Sequence, residues 1–139
     1  MTRVLSAPWV LTGAPAGGAA PAALREGAVA LEGDVVRAAG PRAEVEAAFG
    51  PGERLDAVLL PALVNAHLHL ELAHLAGAVP GGDGLAGWIG RFVEARRDRG
   101  DGGAAEAMAA GARALVEAGV AAVGDVSNTL ASLGPLAAA

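Results

Sequence analysis

Residues 59–75 read LLPALVNAHLHLELAHL and contain all three histidines of this 139-residue chain. The run from Val64 to Leu70 is apolar and compatible with β-structure, and it follows Pro61, a residue that can occupy only the start or the edge of a strand. The pattern therefore predicts a buried β-strand. His74 falls outside the alternation of faces along that strand, and we expect it beyond the strand's end.

The predicted strand places polar side chains on one face. Because strand side chains alternate between two faces, His67 and His69 point to the same side, together with Asn65 and Glu71. Neutral imidazole is the commonest protein ligand for zinc and similar ions, and this spacing suits a metal that takes two nitrogen ligands from one strand. The alternative is that the histidines are solvated or make ordinary hydrogen bonds.

Two segments resemble a known family. Residues 61–71, PALVNAHLHLE, are similar to the first barrel strand of the amidohydrolase superfamily, in its deaminase and chlorohydrolase branch, which reads roughly Pro-Gly-hydrophobic-Val-Asn-Ala-His-Thr-His-Leu-Glu. Ala62 and Leu68 stand where that branch usually has glycine and often has threonine. Residues 119–128, GVAAVGDVSN, resemble the second barrel strand. Within the branch, the two segments are most similar to aminofutalosine deaminase and to adenosine-type and cytosine deaminases.

The resemblance implies an α/β fold, namely the N-terminal part of a metal-dependent hydrolase. Residues 1–60 would form a small β side domain, and residues 61–139 would form the first βα units of a TIM barrel. A complete barrel takes about 250 residues, and roughly 200 at the least. We therefore expect the chain to contain an incomplete, truncated barrel, a fragment that is inactive by itself.

The resemblance also implies the chemistry of the site. His67 and His69 would bind one divalent metal, zinc with iron as the alternative, and the other ligands and the catalytic residues would lie on later strands, outside this chain. Water activated by the metal would deaminate a purine- or pyrimidine-type ring. The candidates for substrate binding are Glu71, which could instead orient a ligand or be structural, and Trp88, which could instead be a core residue of an amphipathic helix. Asp125 is expected to be structural or to support the site.

Other functions remain open from the sequence. One is a cyclic amidase or chlorohydrolase of the same superfamily, and another is a non-catalytic fragment or small β module whose histidines are incidental. The net charge of −5 argues against a nucleic-acid partner, and no apolar run approaches the roughly 20 residues of a membrane span. We expect a small-molecule substrate with an aromatic amine, a cytoplasmic location, no membrane partner and, as in many relatives, a homodimer.

Apolar spacing and turn residues predict the remaining elements. In chain order these are a strand that Pro8 confines to an edge or a bulge, with Trp9 in the core (3–12), a loop (13–23), a hairpin (27–40), a helix (42–49), a strand (53–60), a glycine-rich loop (77–84), two helices (85–97 and 104–118), a strand (120–126) and the start of another helix (129–139). Because residues 4–24 carry no charge, a secretory signal peptide is the alternative for the first strand and loop. The strand at 120–126 would close a parallel β-α-β crossover.

Overall fold

The computed structural model describes residues 1–13, 21–82 and 84–139. These residues form a mixed α/β structure, as predicted, and divide into two compact units, Met1–Pro61 and Ala62–Ala139. The elements in chain order are β1 (Thr2–Leu11), β2 (Ala23–Glu32), β3 (Val35–Pro41), α1 (Arg42–Phe49), β4 (Glu53–Arg54), β5 (Val58–Leu59), β6 (Leu63–Leu68), a 3₁₀ helix (Leu70–Leu75), α2 (Gly84–Arg99), α3 (Ala104–Glu117), β7 (Val120–Asp125) and α4 (Leu133–Ala138). Most of the loop predicted at 13–23, and residue 83 of the loop predicted at 77–84, lie outside the described residues.

The first unit is a sheet with the strand order β3-β2-β1-β4, in which β5 also pairs with β1. The predicted hairpin is present, since β2 and β3 pair antiparallel on either side of Gly33. The φ angle of Gly33 is +57°, a conformation that glycine adopts without steric penalty. Helix α1 packs on the sheet through Val45, which forms a small apolar core with Val4, Ala28 and Ala30.

Three predictions for the first unit are wrong. Strand β1 lies inside the sheet and not at its edge, because β2 pairs with it on one side and β4 and β5 pair with it on the other. Pro8 does not form a bulge either, because the pairing with β2 omits it and keeps the same register at Ala7 and Trp9 on its two sides. Trp9 is 44% exposed and is not a core residue, since its neighbour Val10 occupies the buried position. The strand predicted at 53–60 is interrupted and forms the short strands β4 and β5.

The second unit contains the predicted crossover. Strands β6 and β7 pair in parallel, and helices α2 and α3 lie between them in the chain. The 3₁₀ helix follows β6 and contains His74, which is therefore beyond the strand's end, as predicted. Leu70 of this helix packs with Met108 and Ala112 of α3 in the unit's apolar core. This contact fixes the segment that directly follows His69.

Strand β6 is not the buried strand that its composition predicts. Leu63 is 48% exposed and Val64 is 68% exposed, because among the described residues β6 pairs only with β7. The apolar side of α2 is open as well, with Leu85 73% exposed. A parallel strand becomes buried only when strands flank it and helices cover its faces. The apolar sequence of β6 therefore shows that the strand is suited to burial, but it does not show which segments would cover it.

Candidate functional site

The two histidines of the predicted metal site are adjacent. His67 lies near the end of β6, His69 follows the strand directly, and both side chains are exposed. Their ring centroids are 5.0 Å apart, and the ring planes are inclined at 79°. The pairing of β6 with β7 is irregular between Asn65 and Leu68, yet the two rings remain side by side. The backbone there is supported by Asn65, whose side-chain oxygen accepts a hydrogen bond from the main-chain N–H of His67 (3.3 Å).

A main-chain carbonyl from the neighbouring strand end orients the ring of His69. The Nδ1 atom of His69 lies 2.9 Å from the carbonyl oxygen of Val126, which follows β7 directly. A carbonyl oxygen can only accept a hydrogen bond, so Nδ1 carries the proton. In the neutral ring, Nε2 then carries the lone pair. This is the arrangement by which histidines that bind metals are commonly held, with one ring nitrogen donating to a carbonyl and the other free to coordinate.

Asp125, the last residue of β7, is hydrogen-bonded to the segment that follows β6. One of its carboxylate oxygens accepts a hydrogen bond from the main-chain N–H of Leu70 (2.9 Å), and the other accepts one from the hydroxyl of Ser132. Ser132 is fully buried. The main-chain N–H of Val126 also donates to the carbonyl of Leu68 (2.7 Å). Asp125 therefore has contacts that support the histidine segment, in line with the structural or supporting role expected for it.

Glu71 is the most extensively hydrogen-bonded carboxylate of the site. It is only 7% exposed. Its Oε2 atom accepts hydrogen bonds from the hydroxyls of Ser127 and Thr129 (both 2.9 Å) and from the main-chain N–H groups of Asn128 (3.0 Å) and Thr129 (3.1 Å). Its Oε1 atom accepts one from the side-chain amide of Asn128 (2.8 Å). All five donors thus come from the turn at 127–129, directly after Val126.

These contacts decide the protonation of Glu71. Burial raises the pKa of its carboxyl group, but the hydrogen bonds from Asn128 and Thr129 lower it by more, so that the pKa falls from 4.5 to about 2. Hydrogen bonds to the charged form stabilise that form, and a carboxylate that accepts several of them stays ionised at low pH. Glu71 is therefore a fixed anion that anchors a turn. Contact between Glu71 and a substrate stays a prediction.

Trp88 lies in α2, a helix in which no residue is fully buried. It is half-buried and stacks on Phe92, with ring centroids 5.3 Å apart and planes inclined at 18°. The two rings line an open groove of about 300 Å³, together with apolar and small residues of the segment after β6, namely Leu72, Leu75, Ala76, Gly77 and Val79. An open aromatic groove could hold a flat ring by stacking. The assignment of Trp88 to substrate binding stays a prediction.

The donor set fits two positions of a metal site. His67 and His69 are adjacent and exposed, and a bond from zinc to an imidazole nitrogen is about 2.0–2.1 Å long, so rings 5.0 Å apart can reach one ion. Over the ranges 1–13, 21–82 and 84–139, no group of three or more histidine, aspartate, glutamate or cysteine side chains is arranged to hold a metal. The described chain therefore supplies two nitrogen donors, and the assignment of metal to them stays a prediction.

Sequence reasoning missed the partners that hold the site together. The carbonyl of Val126 carries no signal in its side chain, and Ser127, Thr129 and Ser132 were not singled out. A signal was present, because polar residues in a row after a strand often bind a neighbouring segment instead of solvent. Identifying Glu71 as the partner of Ser127 and Thr129 required the parallel pairing of β6 with β7, which brings together residues 56 to 58 positions apart. Ser132 donates to Asp125 instead.

The fold and the arrangement of the two histidines together fit one class of protein. A parallel β-α-β unit with two histidines at the carboxyl end of its first strand is the arrangement that the sequence resemblance predicts for the start of an amidohydrolase-type deaminase. Comparison with known proteins agrees with this class.

Sequence comparison and structural superposition each find known deaminases that are similar to the chain. The chain is 42% identical over 57 residues to 5-methylthioadenosine/S-adenosylhomocysteine deaminase of Nitratidesulfovibrio vulgaris, an alignment that covers 39% of this chain and 13% of that protein. No family model matches the chain. Aminofutalosine deaminase of Helicobacter pylori superposes with a TM-score of 0.68 at 19% identity, over 100% of this chain and 31% of the other.

Two further solved structures are similar. An adenosine deaminase from Xanthomonas campestris with bound zinc superposes with a TM-score of 0.67 at 22% identity, covering 97% of this chain and 31% of that protein. Guanine deaminase of Escherichia coli superposes with a TM-score of 0.66 at 15% identity, covering 98% and 33%. The chain thus spans about a third of the length of these structures. Together with the sequence match, they confirm the resemblance to the N-terminal part of the amidohydrolase deaminases.

Proposed function

We propose that His67 and His69 provide two ligands of a divalent metal ion in a hydrolase that removes an amino group from a purine- or pyrimidine-type ring. The observation that carries the proposal is the hydrogen bond from His69 Nδ1 to the carbonyl of Val126, because it leaves the Nε2 lone pair of His69 free to coordinate while the ring of His67 lies 5.0 Å away. When bound, the ion, zinc with iron as the alternative, would supply the Lewis acidity that makes water a competent nucleophile near neutral pH.

The residues of this chain contribute binding and orientation. His67 and His69 hold the ion, Asp125 ties the segment after His69 to the end of β7, and the groove beside Trp88 offers an aromatic surface to a planar ring. Among the described residues, no group of three or more histidine, aspartate, glutamate or cysteine side chains is arranged to hold a metal. We therefore propose that activity requires a complete barrel, in which these residues form the opening part, and that the 139-residue chain alone is inactive.

The relatives support the reaction class. Each is described as a deaminase, and the substrates in their names, which include 5-methylthioadenosine, S-adenosylhomocysteine, aminofutalosine, adenosine and guanine, share an amino group on a purine ring or a ring derived from one. We propose the same class of small-molecule substrate here, without nucleic-acid or membrane partners. A homodimer and a cytoplasmic location complete the proposal. No helix in the described part of the chain is both long and apolar enough to cross a membrane.

The test is substrate turnover by the product of the complete natural reading frame after loading with Zn²⁺, measured as ammonia release from purines, as ring opening of a cyclic amide and as chloride release from a chlorinated triazine. The panel should contain the purine substrates named above, together with a cyclic amide and a chlorinated triazine, which report the two other activities of the superfamily. We expect ammonia from at least one purine, and a loss of at least about 1,000-fold in His67→Ala and His69→Ala, since removal of a metal ligand removes the activated water.

His74→Gln is the matched control, because His74 lies in the 3₁₀ helix and not beside the other two rings. It should retain most of the activity. Turnover of only the cyclic amide or the triazine would replace deamination by one of those reactions. Activity on a purine that survives both His67→Ala and His69→Ala would contradict the assignment of the ligands.

A further inference from the structure

Glu71 lies two residues after His69, yet every contact of its carboxylate is made with the other strand end. The main chain at Glu71 is held in place by the preceding residue, Leu70. Leu70 is 2% exposed in the apolar core, and its main-chain N–H donates a hydrogen bond to Asp125. From that fixed position, the carboxylate accepts its five hydrogen bonds from residues 127–129. Glu71 therefore joins the segment after β6 to the turn after β7.

The turn that Glu71 holds begins at the residue next to the acceptor of His69. On its amino side, Val126 is held by the hydrogen bond from its N–H to the carbonyl of Leu68. On its carboxyl side, the peptide continues into Ser127, whose hydroxyl donates to Glu71. The carbonyl of Val126 belongs to the planar peptide group that links Val126 to Ser127. Its direction is therefore fixed only when both Val126 and Ser127 are held by their hydrogen bonds.

We propose that Glu71 is a positioning residue: by holding the turn at 127–129 it directs the carbonyl of Val126 at His69 and so keeps His69 in the form with the proton on Nδ1. The effect on metal binding rests on the function proposed above, whereas the effect on the ring of His69 does not. Outer partners of metal-binding histidines typically change metal affinity by 10–100-fold. Glu71 would act one step further out, through the peptide that carries the acceptor.

The geometry of the five bonds distinguishes two substitutions. Glu71→Ala removes all five acceptor contacts. Glu71→Gln can keep its amide oxygen at the position of Oε2, where four of the five donors converge. Its amide nitrogen then faces the side chain of Asn128, which can rotate its own amide to present an oxygen. The glutamine variant should therefore preserve the turn, with weaker bonds than a charged acceptor makes.

The experiment is long-range ¹H–¹⁵N NMR of the histidine rings in the full chain at about pH 8.5, where an ordinary histidine is neutral. The ring nitrogen shifts report which nitrogen of His69 carries the proton. We expect the Nδ1–H form in the unmodified chain and in Glu71→Gln, and a shift toward the Nε2–H form in Glu71→Ala. Glu94→Gln, which changes an exposed carboxylate of α2, is the matched control and should leave the spectrum unchanged.

A titration of the product of the complete natural reading frame with Co²⁺ alone, followed by visible absorption, gives the second readout. We expect Glu71→Ala to weaken binding by about 10-fold or more and Glu71→Gln to restore most of the affinity. If the unmodified complete product binds no Co²⁺, the proposed metal site fails while the NMR comparison still decides the role of Glu71. If Glu71→Ala proves unfolded, the double variant Ser127→Ala/Thr129→Val replaces it, since it removes two donors and keeps the carboxylate. An unchanged His69 ring spectrum in the folded variant would overturn the proposal.

Discussion

Acidification is expected to destabilise the second unit, Ala62–Ala139, through protonation of Glu71. The pKa of Glu71 is 4.5 when its surroundings leave it unperturbed and about 2 in the folded chain, so the unfolded state binds a proton more readily than the folded state between these values. The contribution to stability is therefore fully present above about pH 5 and is lost as the pH falls toward 2. The difference in pKa corresponds to at most about 3 kcal/mol, of which about 2 kcal/mol is lost by pH 3.

The assay is urea unfolding at pH 6 and pH 3, followed by the fluorescence of Trp88. The chain has two tryptophans, and Trp9→Phe removes the one in the first unit. Other acidic groups also titrate in this range, so the informative quantity is the difference between the parent and Glu71→Gln, which cannot take up the proton. The parent should lose about 2 kcal/mol more than Glu71→Gln between the two pH values.

Glu94→Gln serves as the control, because its carboxylate is exposed on α2 and its substitution should leave the pH dependence of the parent unchanged. Equal losses for the parent and Glu71→Gln would contradict this prediction. They would mean that the hydrogen bonds from the turn at 127–129 do not favour the ionised carboxylate over the protonated one.

Two further predictions concern the joint between β6 and β7, and both are measured by urea unfolding with Trp88 as the reporter. Gly124→Ala should lower the free energy of unfolding by about 1–3 kcal/mol, because the added Cβ would lie 2.6 Å from the carbonyl oxygen of Ala66. As a control, Gly90→Ala in the open part of α2 should stabilise the helix by up to about 1 kcal/mol. Equal effects of the two substitutions would contradict the close approach of β6 and β7. Ser132→Ala should cost about 2 kcal/mol, since it removes a buried hydroxyl that donates to the carboxylate of Asp125, and a change below about 0.5 kcal/mol would show that this bond contributes little.

The parts of the structure that depend on local pattern could be predicted from the sequence. The alternation along residues 64–70 placed His67 and His69 on one side, and the rings are adjacent. The order of strand, helices and strand predicted the parallel pairing of β6 with β7. Glycine in a short segment between two β runs predicted the hairpin at Gly33. Each of these depends on residues close together in the chain or on a general rule of connection.

The failures have a common physical cause, which is that burial depends on distant segments. Trp9 is large and apolar, but strand alternation places it on the face of β1 opposite to the buried Val4 and Val10, and it is 44% exposed there. The apolar sequence of β6 gave no information on how many strands would flank it. Similarly, the contacts of Glu71 come from a turn more than 50 residues away. Composition can show that a side chain is able to pack or to accept hydrogen bonds, but only the fold supplies its partner.

Binding of a metal ion by His67 and His69 can be tested through the metal content of the purified protein. The product of the complete natural reading frame should be isolated without chelators and analysed by inductively coupled plasma mass spectrometry, beside the double variant His67→Ala/His69→Ala and the control His74→Gln. We expect about one zinc or iron ion per chain in the parent and in His74→Gln, and almost none in the double variant. A parent without metal, or a double variant with the metal content of the parent, would contradict this expectation.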